Sequence, residues 1–162
     1  MPNMLHICHW LEKLPISVVI SQSIWVFPTI ESIHMFGIIA LVGATGILDL
    51  RLTGLALKED SVSSIVHSTV RWAWVGFTVM LVTGALMFMS EATRCYTNDG
   101  FRIKMLLLVL AGLNALIFHS TAYRGVSRWE TGGTPLTAKL AGGFSLMFWF
   151  GIIAMGRWIA FF

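Results

Sequence analysis

Charge is what this sequence has least of. Only 12% of its 162 residues are Asp, Glu, Lys or Arg, where a soluble domain carries about 25%. Hydrophobic residues make up 56% and the mean hydropathy is +0.78, so the deficit points to an integral membrane protein. Catalytic motifs are also missing. There is no His-Glu-x-x-His, P-loop, Gly-x-Ser-x-Gly or Cys-x-x-Cys, nor the Cys-x-x-Cys-His that attaches haem covalently. Hydrolytic chemistry therefore has no visible apparatus. Without a row of arginines or a pair of interrupted spans, voltage sensing and secondary transport have no signature either. No internal repeat or low-complexity tract interrupts the chain. No basic patch with interleaved aromatics lies outside the apolar runs, so the net charge of +3 suits lipid headgroups and argues against nucleic acid as a partner. Residues 1–14 hold Glu12, Lys13, two histidines and a cysteine, which is not the pattern of a signal peptide. Insertion is expected to use the first span.

What is present is long apolar runs. The length accommodates about four spans of roughly 20 residues. They fall near 29–50, 66–89, 101–121 and 136–160, as one transmembrane domain over 1–162. The expected fold is all-α, an integral membrane four-helix bundle with a short N-terminal interfacial helix over Met4 to Leu14. Leu5, Cys8, Trp10 and Leu11 would be its apolar surface, and Pro15 would end it. Pro28 suits the first turn of span one, and Ser61 or Ser63 can cap span two. Asp49-Leu50-Arg51 reads as a charged clamp at the water boundary, and Gly132-Gly133 as a flexible turn. Gly142, Gly143, Gly151 and Gly156 give span four small residues for close helix approach. Asn114, in mid-span, is expected to donate a hydrogen bond between helices.

Four spans put both termini on one side of the membrane. Arg51, Lys58, Arg71, Arg124, Arg128 and Lys139 lie on the other side, against Lys13, Arg94, Arg102, Lys104 and Arg157. The positive-inside rule then puts the termini on the periplasmic side of a bacterial inner membrane. Cys8 and Cys95 share that outer side, where a disulfide is chemically allowed, and are expected to be bridged or close.

Ionisable residues are expensive in hydrocarbon and mark candidate sites. Glu31 and His34 open span one at i, i+3 spacing, which places them on one face. A carboxylate behind an imidazole would fix its tautomer and improve it as a ligand. Lys104 lies at similar depth, where it either snorkels to water or holds an anionic group such as a haem propionate or a quinone oxygen. Met87, Met89 and Met155 are thioether candidates there. Near the opposite surface, His67 on span two and His119 on span three sit at matching depth, an arrangement suited to bis-histidine haem ligation. Arg71, one turn from His67, would pair with a propionate. Both histidines also suit plain boundary roles. His67, Arg71, Trp74 and Thr78 form one helical stripe. His6, Cys8 and His9 are a compact set of copper or zinc ligands, or part of an ordinary interfacial helix. Trp74 and Trp149 are deep enough to flank a flat cofactor.

Glu31-Ser-Ile-His34-Met-Phe-Gly37, Gly43, Leu48-Asp-Leu-Arg-Leu-Thr-Gly54, Thr83-Gly84 and the run from Phe101 to His119 resemble a family of small four-span bacterial inner-membrane proteins known as a domain of unknown function. That resemblance implies the four-span fold and no activity. More distantly, the bundle is similar to copper-resistance-D-type proteins and b-type cytochromes, although span four lacks the histidine that a two-haem set needs. Three functions are therefore carried forward. The first is a haem b membrane protein, an electron-transfer (oxidoreductase) subunit between a quinone and an outer-side redox partner protein. Its cofactor residues would be His34, His67, His119, Lys104, Arg71 and Glu31, with His67, His119 and His34 ligating metal. The second is copper or other metal handling by His34, His6 and His9. The third is an accessory subunit of a homo-oligomer or larger membrane complex.

Overall fold

The computed structural model describes residues 2–129 and 133–159. Glu130 and Gly132 of the third loop, and the end of span four at 160, lie outside the described residues. The described chain is all helical. In order it runs α1 (Pro2–Glu12), α2 (Pro15–Gln22), α3 (Val26–Thr53), α4 (Val62–Ser90), α5 (Ala92–Thr97) and α6 (Asp99–Ser120). A 3-10 turn (Tyr123–Gly125), α7 (Val126–Trp129) and α8 (Leu136–Trp158) follow. Four helices, α3, α4, α6 with its extension to Trp129, and α8, are long and apolar enough to cross a membrane. The protein is a multi-pass membrane bundle.

Local chemistry explains the boundaries. Ser61 caps α4 by accepting from Ser64 N at 3.2 Å, and Asn98 caps α6 by accepting from Phe101 N at 3.1 Å. Gly54, with φ of +75°, turns off α3 in the left-handed conformation that glycine adopts without a Cβ clash. Pro28 sits in the first turn of α3 as expected. Pro15 differs from expectation. The interfacial helix has already stopped at Glu12, and Pro15 opens α2, because its fixed φ suits a first helical position. The second loop contains α5, a helix too short to show a period in the sequence.

The spans are arranged in the order α4, α3, α8, α6. Helix α3 packs against both α4 and α8, and α6 packs on α8, while α4 and α6 have no extended contact. Close backbone approach builds the two α3 interfaces. A Cβ added at Gly76 would meet Leu41 N at 2.5 Å and Gly37 O at 2.8 Å, and one at Gly142 would meet Asp49 O at 3.0 Å. Small residues allow such contacts where lipid supplies no hydrophobic drive between helices. Of the other span-four glycines, Gly151 faces Leu107 and Gly156 faces Lys104, whereas Gly143 faces open space. Asn114 Nδ2 donates to Ala141 O at 2.9 Å, tying α6 to α8 as anticipated.

The apolar core gathers at one end. Leu52, Val62, Val66, Phe118 and Ala138 bury one another where α3 and α6 finish and α4 and α8 begin. Beside it, Ser145 Oγ donates to Asp49 Oδ2 at 2.6 Å. Arg51 Nε donates to Asp60 O at 2.6 Å and its Nη1 to Thr134 Oγ1 at 3.2 Å. The boundary-clamp expectation is thus corrected. Asp49 and Arg51 are only 5% and 8% exposed, because buried polar groups are tolerated where fixed polar partners replace water.

At the terminal end, α1 lies on α5. Glu12 accepts from Thr93 N at 2.7 Å and from Thr93 Oγ1 at 3.0 Å, so a carboxylate from α1 caps the first turn of α5. Cys8 is buried and Cys95 half-buried on these helices, and both are free thiols, so the two are not bridged, although the helices that carry them are neighbours. Burial, with Glu91 as the next contributor, pushes the Cys95 thiol above its ordinary value.

Candidate functional site

The site forms where α3 begins, α4 ends, α6 begins and α8 ends. His34 projects from α3 onto the Thr83-Gly84 step of α4. Its Nδ1 lies 2.8 Å from Thr83 Oγ1. Gly84 makes room for the ring, since a Cβ there would meet His34 Cε1 at 3.3 Å. Thr83 is buried, and its hydroxyl donates to Val79 O at 2.6 Å. A hydroxyl has one hydrogen. With that hydrogen spent on Val79, Thr83 Oγ1 accepts from His34, which places the imidazole proton on Nδ1. The Nε2 lone pair is then free to coordinate a metal or accept a proton.

Lys104 enters from α6. Its chain lies along α8, with Nζ 3.5 Å, Cε 3.8 Å and Cδ 4.0 Å from where a Cβ on Gly156 would stand. No carboxylate among the described residues lies within ion-pair distance of its ammonium. The side chain runs toward the terminal end of α8 and is half-buried. One turn nearer α5, Phe88 and Phe101 stack with ring centroids 5.6 Å apart.

Other expected site residues fall elsewhere. Glu31 is exposed on α3, and the tautomer of His34 is set by Thr83, not by Glu31. Sharing a helical face is necessary for an i, i+3 pair but does not compel it, and here the imidazole turns to the facing helix. His67 and His119 are both exposed. Each follows a core residue, Val66 and Phe118 respectively, and one helical step of about 100° carries the next side chain away from the interior. Both imidazoles stand on the outward faces of their helices at the loop end of the bundle. His119 instead meets Tyr123 edge-on, with centroids 5.2 Å apart. Arg71, Trp74 and Thr78 continue the His67 stripe on the outward face of α4. Trp149 is buried in α8, whereas Trp74 faces outward.

On α1, Cys8 points inward while His6 and His9 point outward, and His9 lies 3.6 Å from Glu12. Among the described residues, no group of three or more His, Cys, Asp or Glu side chains is placed to hold a metal ion. Sequence reasoning missed Thr83 as the partner of His34. The signal was there in a hydroxyl next to a glycine on span two, at the depth of His34 on span one. It also missed the Asp49–Ser145 bond, whose partners lie 96 positions apart.

A model of a family of unknown function, DUF6644, matches residues 10–162, and the chain belongs to that family. No curated protein matches the chain. No solved structure matches it.

Proposed function

We propose that this family member is an electron-transfer protein of the bacterial inner membrane, with its termini on the periplasmic side, and that the His34 site holds its redox group. The observation that carries this reading is the Thr83 bond. A neutral imidazole held through Nδ1–H, with Nε2 open, is how proteins present histidine to a metal, and the Thr83 hydroxyl that accepts from Nδ1–H raises ligand basicity. Haem b fits that donor chemistry, with the iron on Nε2 and Lys104 as the cation for a propionate. The haem supplies one-electron chemistry. The chain supplies the oriented ligand and the counter-charge.

A quinone headgroup is the second reading, and Lys104 favours it. An ammonium with no carboxylate partner among the described residues would donate to a quinone oxygen, and Nε2 would accept a quinol proton.

The test is a visible spectrum of detergent-purified protein, expressed with ample haem, before and after dithionite. A Soret band with sharp reduced α-bands is expected. It should vanish in His34→Ala and persist in His67→Ala and His119→Ala. A colourless protein sinks the haem reading. Recovery of quinone from wild type but not from His34→Ala or Lys104→Ala would then support the second reading. Copper found by metal analysis and lost with His34, His6 and His9 would favour metal handling instead.

A further inference from the structure

A second site lies far from His34, between α6 and α8. We propose that the groove there binds one anionic phospholipid, with its acyl chain along the groove and its phosphate at Arg124 and Arg128. The cavity is about 640 Å³. Its inner end is formed by Asn114, Ala141 and Phe144, and its mouth by Gly125, Trp129 and Pro135.

Shape supports a chain-like occupant. Asn114 to Thr121 along α6 is seven residues, or about 10 Å of helix, so the groove runs along the span and not across it. That is the direction of an acyl chain in its leaflet. The walls are mainly apolar side chains, and the one polar group at the inner end, Asn114, already donates to Ala141 O.

Charge complementarity identifies the headgroup. The segment after α6 folds back at the mouth, and Trp129 Nε1 donates to Ala122 O at 3.0 Å, which holds it in place. Gly125 and Trp129 line the groove. Arg124 and Arg128, each one position earlier, share the adjacent face at i, i+4 spacing and are exposed. Neither forms an ion pair among the described residues. Two guanidiniums on the face beside the mouth of a groove between spans suit a phosphate held bidentately. A zwitterionic lipid lacks the net charge to use both.

The test uses the full chain, delipidated in mild detergent, with phosphatidylglycerol and phosphatidylcholine of matched chains added separately and adducts counted by native mass spectrometry. One phosphatidylglycerol should bind at least about tenfold more tightly than phosphatidylcholine, since each basic residue near the headgroup contributes appreciably. Arg124→Gln with Arg128→Gln should reduce it to the phosphatidylcholine level. Leu140→Trp, which fills the groove from its half-exposed rim, should lose the adduct with both arginines intact. Lys58→Gln, an exposed cation on the α3–α4 loop, should change nothing. Equal binding of the two lipids would overturn the proposal. So would an equal loss in Lys58→Gln, or a dimer that occupies the groove and disappears in Leu140→Trp.

Discussion

The two ends of the bundle are built on opposite principles. At the loop end, Leu52, Val62, Val66, Phe118 and Ala138 form the buried cluster, and the charges beside them are bonded within the protein. Asp49 takes Ser145, and Arg51 takes Asp60 and Thr134. At the terminal end, His34 spends only one nitrogen on Thr83, and Lys104 has no carboxylate among the described residues. A polar group with its bonds complete specifies packing. One left incomplete in an expensive place is available to a ligand. Packing stability belongs to the loop end, and the proposed redox group would take up the open polar groups of the terminal end.

Crossing the two ends gives the largest expected effects. Leu52→Ala removes a side chain that is 1% exposed and should cost about 2–5 kcal/mol of stability, measured by thermal unfolding in detergent. It should leave ligand affinity at His34 unchanged in the molecules that remain folded. Thr83→Val should do the reverse. The isosteric change frees the His34 tautomer and weakens cofactor affinity roughly 10- to 100-fold at little cost in stability, read by titration of the absorbance signal. If Thr83→Val unfolds the protein while ligand affinity survives, the division between the ends is wrong.

Ser145→Ala tests the loop end more finely. It leaves Asp49 buried without its donor and should cost about 1–3 kcal/mol, while Asp49→Leu with Ser145→Ala should recover much of that loss. Glu12→Ala should cost about 1 kcal/mol by uncapping α5. Its clearer readout is faster proteolysis within residues 1–14, since Thr93 is what holds the Glu12 carboxylate. The smallest effect belongs to Asn114→Ala, about 0.6 kcal/mol, typical of one interhelical hydrogen bond in lipid. Cys95 offers a chemical check on the terminal end. Because burial raises its thiol, the thiolate fraction at neutral pH is small. Maleimide labelling should be slow at pH 7 and accelerate as pH rises, and neither cysteine should change gel mobility on reduction.

Much of the architecture was legible in the residues. Apolar runs located four spans within a few positions of α3, α4, α6 and α8, because a bilayer demands length and hydropathy that few other structures require. Caps and turns followed local rules, as at Ser61 and Pro28. The site was legible only in part. His34 and Lys104 stood out as ionisable groups inside spans, yet Glu31 looked like the partner of His34 because helical spacing is visible in a sequence and facing helices are not. His67 and His119 looked like a pair because depth is readable. Direction is not, and Val66 and Phe118 took the interior positions.

The sequence by itself therefore determined that this chain crosses a membrane four times and which residues lie at which depth, since both depend on hydropathy counted along one strand of chain. The tertiary structure alone decided the order α4, α3, α8, α6 and, through it, every pairing that matters. Thr83 meets His34, Ser145 meets Asp49, and Lys104 crosses to Gly156 because glycines at the crossings let particular faces approach. The two hydrogen bonds join positions 49 and 96 residues apart, and no local pattern encodes which helix will stand opposite another.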